Sequence, residues 1–411
     1  MIRLTLKSIV AGLAASVALV SAAQAGGLER GGYNIDLLFD TSRFATDASV
    51  AYVMPERDLN NVVDIDITDG IGSNGIGGGA TNGVRETESY AVPRLGAKVG
   101  IGEYLDCMGD YSQPYGAHSN PGRNWMGANS NTETKIESDG YAATCSVKFQ
   151  VGKGQFRVLG GVSYLDMSGF KERLVAPLPP AFGTGLGRVD LEDSGYGWRA
   201  GVAYEIPEIA FRASAVYYAE VELDSISGVL DLTQVPVAPA PLGGASTPIF
   251  GSATMPQAFE IKVQTGIAPG WLAFGSVKWV DWSVLQSIAL CPTFTAAVAC
   301  TSGGPTEVTS LDLYYRDGWT VTGGVGHKFN DNLSGLVALT WDRGTATTMG
   351  TQSDTWTVAA GGSFTPNKNV EIRLGGALGV LTSGTSADSR ITYDYSSDLV
   401  AAVSGAIKVK F

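Results

Sequence analysis

Residues 397–411, at the carboxyl end of the chain, constrain the fold most, because their side chains alternate between apolar and polar. Successive side chains of a β-strand point to opposite faces, so the pattern predicts a strand with one apolar and one polar face. The apolar face carries Leu399, Ala401, Val403, Gly405, Ile407, Val409 and Phe411. The opposite face carries Asp398, Ser404, Lys408 and Lys410, with Ala402 and Ala406 between them. Such a strand either ends a soluble β-sandwich or faces lipid.

The first 25 residues have the organisation of a secretory signal peptide. Arg3 and Lys7 give a positive start, residues 8–20 form an apolar run, and Ala23-Gln24-Ala25 is a small-x-small cleavage site. We therefore expect cleavage after Ala25. The apolar run is too short for a membrane-spanning helix, which needs about 20 residues. No later stretch is apolar enough either, so an integral membrane protein built from this chain must be a closed barrel.

The two-residue period recurs along the chain and predicts fourteen strands, of which residues 43–54, 89–101 and 103–113 are the weakest. Six very short connections alternate with longer ones near residues 55–88, 114–136, 173–191, 227–254, 289–307, 344–353 and 384–390. Short periplasmic turns, longer outer loops, an even strand number and aromatic strand ends are typical of outer-membrane barrels. A terminal aromatic residue also looks like the assembly signal of such barrels.

The predicted fold class is therefore all-β. We expect a 14-stranded antiparallel transmembrane β-barrel over residues 43–411, preceded by a short amino-terminal plug at residues 26–42. This barrel would lie in the outer membrane of a Gram-negative cell, with both termini in the periplasm.

Composition excludes some classes of partner. A net charge of −12 makes nucleic acid a poor partner. A metal site is not expected, since the cysteine spacings are wrong and His118 and His327 are the only histidines. In an exported chain the four cysteines are candidates for disulfides. Cys291 and Cys300 are the expected loop disulfide, and Cys107 and Cys145 would join neighbouring strands if their registers agree.

Several segments resemble the FadL family of outer-membrane transporters for long-chain fatty acids and other hydrophobic compounds. Residues 255–261, the turn Pro269-Gly270-Trp271 and residues 277–283 are similar to that family's eighth and ninth strands. Residues 315–319 and 329–332 are similar to its tenth strand and the following turn. The resemblance implies a fourteen-stranded barrel, in agreement with the strand count above.

The resemblance also implies a small amino-terminal hatch and a lateral exit at an inward kink of the third strand. Residues 26–42, called the hatch segment below, are the candidate hatch. The family's longer start with an Asn-Pro-Ala segment is absent, which leaves open whether this short segment closes the lumen. The third strand, with Cys107, Gly109 and Pro114, is the least regular.

Two outer connections are unusually apolar and are the candidate ligand-binding site, since exposed apolar clusters mark binding surfaces. In the resembled family these loops form the groove that first captures substrate. The alternative is that the loops pack on each other. The candidate residues are Leu174, Val175, Leu178, Phe182, Leu230, Leu232, Val235 and Phe250.

Basic residues predicted to face the lumen are candidate contacts for a ligand carboxylate, because arginine binds carboxylates bidentately. The alternative is an ordinary salt-bridged interior, with Glu205, Glu220 and Glu260 as partners. The candidate residues are Arg157, Arg199, Lys262, Lys278 and Arg316.

The sequence thus predicts an outer-membrane protein for uptake of hydrophobic compounds, above all long-chain fatty acids, through the barrel wall or lumen. A general diffusion porin for small water-soluble solutes is the alternative. An enzyme is not expected, because neither histidine has a visible nucleophile and orienting partner. The expected partners are a long-chain fatty acid or other hydrophobic small molecule, membrane lipid and lipopolysaccharide. No cofactor is expected, and we expect a monomer.

Overall fold

The computed structural model describes residues 26–66, 79–175, 184–236 and 243–411. Its main feature is a ring of fourteen strands, each antiparallel to its neighbours. The strands are β1 Phe44–Pro55, β2 Tyr90–Ile101, β3 Leu105–Ser112, β4 Glu133–Val151, β5 Gly154–Val175, β6 Gly185–Ile206, β7 Phe211–Tyr218, β8 Ala258–Ala268, β9 Trp271–Val280, β10 Gly318–Lys328, β11 Leu333–Asp342, β12 Thr355–Asn367, β13 Val370–Leu381 and β14 Asp398–Lys410. β14 pairs with β1 from Ala45↔Lys410 to Pro55↔Val400, which closes the ring. The predicted fourteen-stranded barrel is confirmed.

The barrel wall is apolar outside and polar inside. Outward side chains such as Val162, Leu374 and Leu378 are exposed, whereas inward Thr144, Ser146 and Arg157 are buried. The period-two pattern produces this arrangement because alternate side chains of each strand meet lipid and lumen. None of the helices in the described part of the chain is long and apolar enough to cross a bilayer.

Aromatic side chains mark both edges of the apolar band. At the outer edge, Tyr164 lies between Tyr141 and Tyr196, with ring centroids 6.5 and 5.2 Å apart. At the periplasmic edge, Phe44 and Phe411 lie 6.1 Å apart across the closing seam. These rings favour the membrane interface, so they set the height of the barrel in the bilayer.

Several strands continue far beyond the outer aromatic edge. β5 and β6 each have 22 residues, whereas about 9–11 are enough to cross the membrane. Beyond Tyr164 the outward positions of β5 turn polar, beginning with exposed Asp166 and Ser168. The strands Val221–Asp231 and Ser246–Met255 extend β7 and β8 in the same way and pair with each other. The expectation of a loop throughout 227–254 is therefore wrong, because inward apolar residues continue the sheet above the membrane.

The outer end also carries a small second sheet, built from the strands Asp58–Asp64, Val84–Arg85, Gly384–Ala387 and Ile391–Tyr395. It joins the connection after β1 to the connection before β14. Arg57 lies beside it, 2% exposed, and donates hydrogen bonds to Asp398 Oδ2 at 2.9 Å, the Ser396 carbonyl at 2.7 Å and Ser353 Oγ at 2.8 Å.

The hatch segment contacts side chains that the strands direct into the ring. Its apolar residues, including Leu28, Ile35, Leu38 and Phe39, belong to the largest buried cluster of the barrel. Lys98 on β2 donates to the carbonyls of Asp40 and Ser42 at 2.8 and 2.7 Å. Residues 26–42 therefore occupy lumen space that a fourteen-stranded ring would otherwise leave to water.

Two disulfides are present. Cys107 and Cys145 are paired across β3 and β4, where their residues are register partners. Cys291 and Cys300 are paired within the connection between β9 and β10. The first pair depends on strand register, which the sequence left open.

Candidate functional site: an outer apolar cavity

A cavity of about 240 Å³ at the outer end, called the outer cavity below, is the space that bears on function. It lies between the outer extensions of β4 to β8 and the connection after β9. The wall follows from strand alternation: on the extended strands many of the residues that continue the lumen-facing side are leucine, isoleucine, valine or methionine. The apolar lining includes Ile136, Met167, Val189, Leu191, Leu223, Ile226, Leu230, Met255, Leu285, Ile288 and Leu290.

The outer cavity also has a cationic side. Lys171 and Arg173 on the outer part of β5, and Arg390 before the strand Ile391–Tyr395, contribute to its lining. Burial, with Arg173 and Arg390 close by, lowers the pKa of the Lys171 ammonium to about 8. Asp312 and Asp388 act in the opposite direction and are too weak to restore the ordinary value. Lys171 is thus a poorly solvated cation beside an apolar space.

The eight predicted ligand-binding residues divide into four groups. Val175, Leu230 and Leu232 line the outer cavity. Leu174 points to the other face of β5 and packs on the cluster around Trp125. Leu178 and Phe182 lie outside the described residues.

Two further candidates do not line the outer cavity. Val235 is buried, and its backbone lies next to Gly185. Phe250 occupies a position of opposite parity to Ala253 and Met255, which line the cavity, so its strand directs it to the other face. Neither residue contributes to the lining of the outer cavity. The prediction included them because the apolar content of a segment does not show which face of a strand a residue occupies.

Sequence reasoning missed most of the lining, including Met167, Leu191 and Leu223. Part of a signal was present in the sequence: Met167 on β5, and Leu191 and Val189 on β6, are apolar residues at inward parity in stretches whose outward positions have already turned polar. Such a pattern indicates a strand that has left the membrane but still faces an apolar interior.

The basic residues of the lumen form ion pairs with acidic side chains. The Asp106 carboxylate pairs with Lys98, Lys148 and Arg157 at N–O distances of 3.0, 2.9 and 2.7 Å. Arg157 also bonds Glu205, and Arg199 lies 3.4 Å from Asp110. A ligand carboxylate would have to displace these partners.

The remaining predicted lumen contacts are also paired. Lys262 lies 3.5 Å from both Asp36 and Glu260, and Lys278 bonds Glu29. Arg316 differs from the expectation of a lumen contact, because it lies in the connection before β10. Its guanidinium, 43% exposed, donates to the Gly344 carbonyl at 2.9 Å and lies 3.8 Å from Asp354.

The chain leaves the barrel wall after β3. Pairing with β4 stops at Ser112↔Gly140 and resumes at Gly116↔Glu137. Between these points Tyr115 turns inward, where Ser138 Oγ accepts its backbone N–H at 2.9 Å. Its ring packs edge-on against Trp282 with centroids 5.9 Å apart. Three residues thus interrupt the wall beside the hatch segment, and Pro114, which lacks an N–H, lies at the centre of the interruption.

Comparison with known proteins adds a decisive observation to this geometry. The family model described as "Outer membrane protein transport protein (OMPP1/FadL/TodX)" matches residues 37–406. The chain belongs to this family. Its membership places the barrel in the outer membrane, as the sequence predicted.

Sequence relatives are distant. The chain is 25% identical over 149 residues to the long-chain fatty acid transport protein of Salmonella typhi. That alignment covers 34% of this chain and 33% of the relative, so it spans only about a third of the curated protein. The corresponding protein of Escherichia coli K12 is 24% identical over the same number of residues, with 34% and 32% covered.

Solved structures of the OMPP1/FadL/TodX family share the fold over nearly the whole chain. A FadL homologue of Pseudomonas aeruginosa superposes with a TM-score of 0.75 at 16% identity, covering 95% of this chain and 98% of the other. The toluene transporter TbuX of Ralstonia pickettii superposes with a TM-score of 0.61 at 14% identity, covering 96% and 98%. The names of these relatives are those of transport proteins, which agrees with the expectation that the chain is not an enzyme. In the described ranges no group of three or more histidine, cysteine or acidic side chains is arranged to hold a metal ion.

Proposed function

We propose that this protein takes up long-chain fatty acids across the outer membrane, and that the outer cavity is where the acyl chain first binds. The observation that carries the proposal is the combination of a largely apolar lining with the partly buried Lys171 ammonium at its side. An apolar lining holds an alkyl chain, and a poorly solvated cation recognises one negative charge.

The size of the outer cavity suits part of an acyl chain. Its volume of about 240 Å³ leaves room for several methylene groups of an acyl chain. Burying each of them gains roughly 0.8 kcal/mol, before the cost of ordering the chain. Together these gains are enough for capture without any chemical step.

The charge at the outer cavity favours a fatty acid over a neutral hydrocarbon. Relatives of both kinds exist, since some are named for fatty acids and others for toluene. A neutral ligand would cover Lys171 with apolar atoms and leave its charge without compensation, which is costly in a dry site. A carboxylate next to the ammonium removes that cost.

From the outer cavity we propose a route towards the interruption after β3. Leu28 of the hatch segment contributes to the cavity lining, and the neighbouring Glu29 forms a backbone bridge with Tyr115. The hatch segment thus joins the binding site to the point where the wall pairing stops. Passage sideways through that point would deliver an apolar chain to lipid without crossing the charged lumen.

Uptake by cells tests the binding site. Replacing Ile226 and Leu230, both buried in the lining, with serine should lower uptake of a long-chain fatty acid about tenfold or more, since each covered side chain contributes about 1.5–3 kcal/mol. Val229→Ser is the matched control, because Val229 lies between them on the exposed face of the same strand. Heat-modifiability on a gel verifies assembly of each variant.

Normal uptake by the assembled double variant would contradict the proposal. Leu178→Ser with Phe182→Ser extends the same test to the apolar segment outside the described residues, where we also expect weakened uptake.

A further inference from the structure

Asp342, the last residue of β11, is a buried carboxylate with one unsatisfied oxygen. Its side chain is 2% exposed, and Oδ2 accepts a hydrogen bond from the Thr320 hydroxyl at 2.6 Å. Oδ1 is buried and receives no hydrogen bond from the residues that the structure describes. An unpaired buried carboxylate oxygen is costly, so a donor of positive charge is expected nearby.

Asp342 has no ion-pair partner among the residues that the structure describes. Glu29 and Asp342 both lie near Lys278, whose ammonium bonds Glu29, and all three side chains are buried. Arg94 acts on Glu29 as well. The buried carboxyl group of Asp342 is therefore left without a cation of its own.

The backbone of Gly26 passes beside the unsatisfied oxygen. A methyl group placed on its α-carbon would lie 3.0 Å from Asp342 Oδ1. Gly26 is buried, and its carbonyl accepts the Glu29 N–H at 3.0 Å. Gly27 also fixes the position of the Gly26 backbone, because its N–H donates to Thr345 Oγ1 at 3.0 Å. Gly27 lies against the Trp282 ring at φ +56°, where a side chain would not fit.

We propose that cleavage after Ala25 creates the missing cation: the α-ammonium of Gly26 pairs with Asp342 and holds the hatch segment in the lumen. Hydrolysis of the Ala25–Gly26 peptide bond consumes one water, leaves a carboxylate on Ala25 and frees an amine on Gly26. An α-amine has an ordinary pKa of about 7.7–8.0, so near neutral pH most of it takes up a proton. The uncleaved chain offers only a neutral amide at this place.

Because of this pairing, the hatch segment is held firmly in the lumen only after the signal peptide has been cleaved. Before cleavage the carboxylate of Asp342 is uncompensated, and afterwards it forms a charge-assisted hydrogen bond with the new terminus. This inference rests on the predicted cleavage site and is independent of which ligand the outer cavity binds.

Amine labelling of the folded, purified full-length mature protein tests the pairing. We expect the Gly26 amine to react with an acylating reagent at neutral pH about tenfold to hundredfold more slowly than in the denatured chain, the range that a charge-assisted hydrogen bond supplies. Asp342→Asn should remove that protection. Asp331→Asn, an exposed acid at the other end of β11, is the matched control and should leave it unchanged.

A second variant separates pairing from mere packing around Asp342. Inserting one alanine between Ala25 and Gly26 leaves Asp342 intact and moves the ammonium by about 3.5 Å along the chain. It should expose the new amine as strongly as Asp342→Asn does. Protection that persists in either variant, a wild-type amine as reactive as in the denatured chain, or a mature protein that does not begin at Gly26 would overturn the proposal.

Discussion

At the residue scale, Lys171 is the group whose chemistry decides what the outer cavity accepts. It lies on the part of β5 beyond the outer aromatic edge, where outward neighbours are already polar. Its lowered pKa means that its charge is only partly retained in mildly alkaline solution. Ligand binding and protonation of Lys171 are therefore linked.

We predict that fatty acid affinity falls as the pH rises above about 8. A carboxylate raises the pKa of the Lys171 ammonium, so binding takes up a proton once the free lysine has lost its own. Affinity should be constant below the free pKa of about 8 and fall about tenfold per pH unit above it, until the pKa of the bound state is reached. Equilibrium binding between pH 7 and 9.5 measures this.

Lys171→Met is the matched variant for that prediction. It keeps the length of the side chain and removes its charge, so it should bind the acid more weakly at pH 7 and lose the slope. A neutral alcohol of the same chain length should lose no affinity as the pH rises with either protein. An unchanged slope in Lys171→Met would contradict the role given to this residue.

The sequence predicted correctly that apolar residues of the outer connections line the cavity, but it did not predict which face of a strand each residue occupies. Leu230 and Phe250 were equally plausible from their apolar character, yet the first lines the outer cavity and the second does not. The difference is one of strand parity, and parity could not be assigned inside a segment taken as a loop. The acidic partners of Lys262 and Lys278 include Asp36 and Glu29 of the hatch segment, far away in the sequence, which no local pattern reveals.

At the scale of the elements, the terminal strand β14 shows why the barrel could be predicted. Its period-two pattern fixes which side chains face lipid, and a register shift of one residue would reverse every one of them. The outer extensions of β4 to β8 could not be delimited in this way, because their two faces both mix polar and apolar residues. Their length follows instead from pairing between strands that are distant in sequence, such as Val221–Asp231 with β6.

We predict that deleting Phe411 impairs barrel assembly. Its backbone N–H donates to the Phe44 carbonyl at 2.9 Å, and its carbonyl accepts from the Phe44 N–H at 3.3 Å. Losing both hydrogen bonds should cost the seam about 1–3 kcal/mol, in addition to the lost contact between the rings. The heat-modifiable fraction in outer-membrane preparations measures the effect.

Phe411→Tyr is the control for that deletion, since it keeps the backbone bonds and an aromatic ring at the interface. It should assemble normally. Full insertion of the deleted chain would argue against a role of the terminal residue in assembly.

At the scale of the whole molecule, the state of the lumen distinguishes a transporter from a diffusion porin, and here the hatch segment occupies part of the lumen. The hatch segment is fastened by ion pairs to several strands, among them Asp36 with Arg212 and Lys262, and Asp40 with Lys408. We expect a fourteen-stranded ring without the hatch segment to conduct small solutes, and a ring with the hatch segment to conduct little.

We predict that the wild-type protein shows no steady large channels in planar bilayers, whereas Asp36→Asn with Asp40→Asn opens them. The changes remove Asp36 from Arg212 and Lys262, of which Lys262 keeps Glu260, and Asp40 from Lys408. Losing these buried and half-buried ion pairs weakens the hold on the hatch segment and favours its release. Single-channel recording measures the conductance. Asp58→Asn, in the exposed outer sheet, is the control, and large steady channels in the wild type would favour the porin alternative.

The contacts of Arg57 have a consequence for the order of events in biogenesis. β1 and β14 lie at opposite ends of the barrel sequence, so their seam is the one strand pair that must wait until the whole chain has been synthesised. Arg57, next to the end of β1, bonds Ser396 and Asp398 at the start of β14, and the outer sheet joins the adjoining connections. Loop-closure entropy makes this contact the slowest to find. Once formed, these contacts hold the seam closed, because separating β1 from β14 would leave the buried Arg57 guanidinium without its partners.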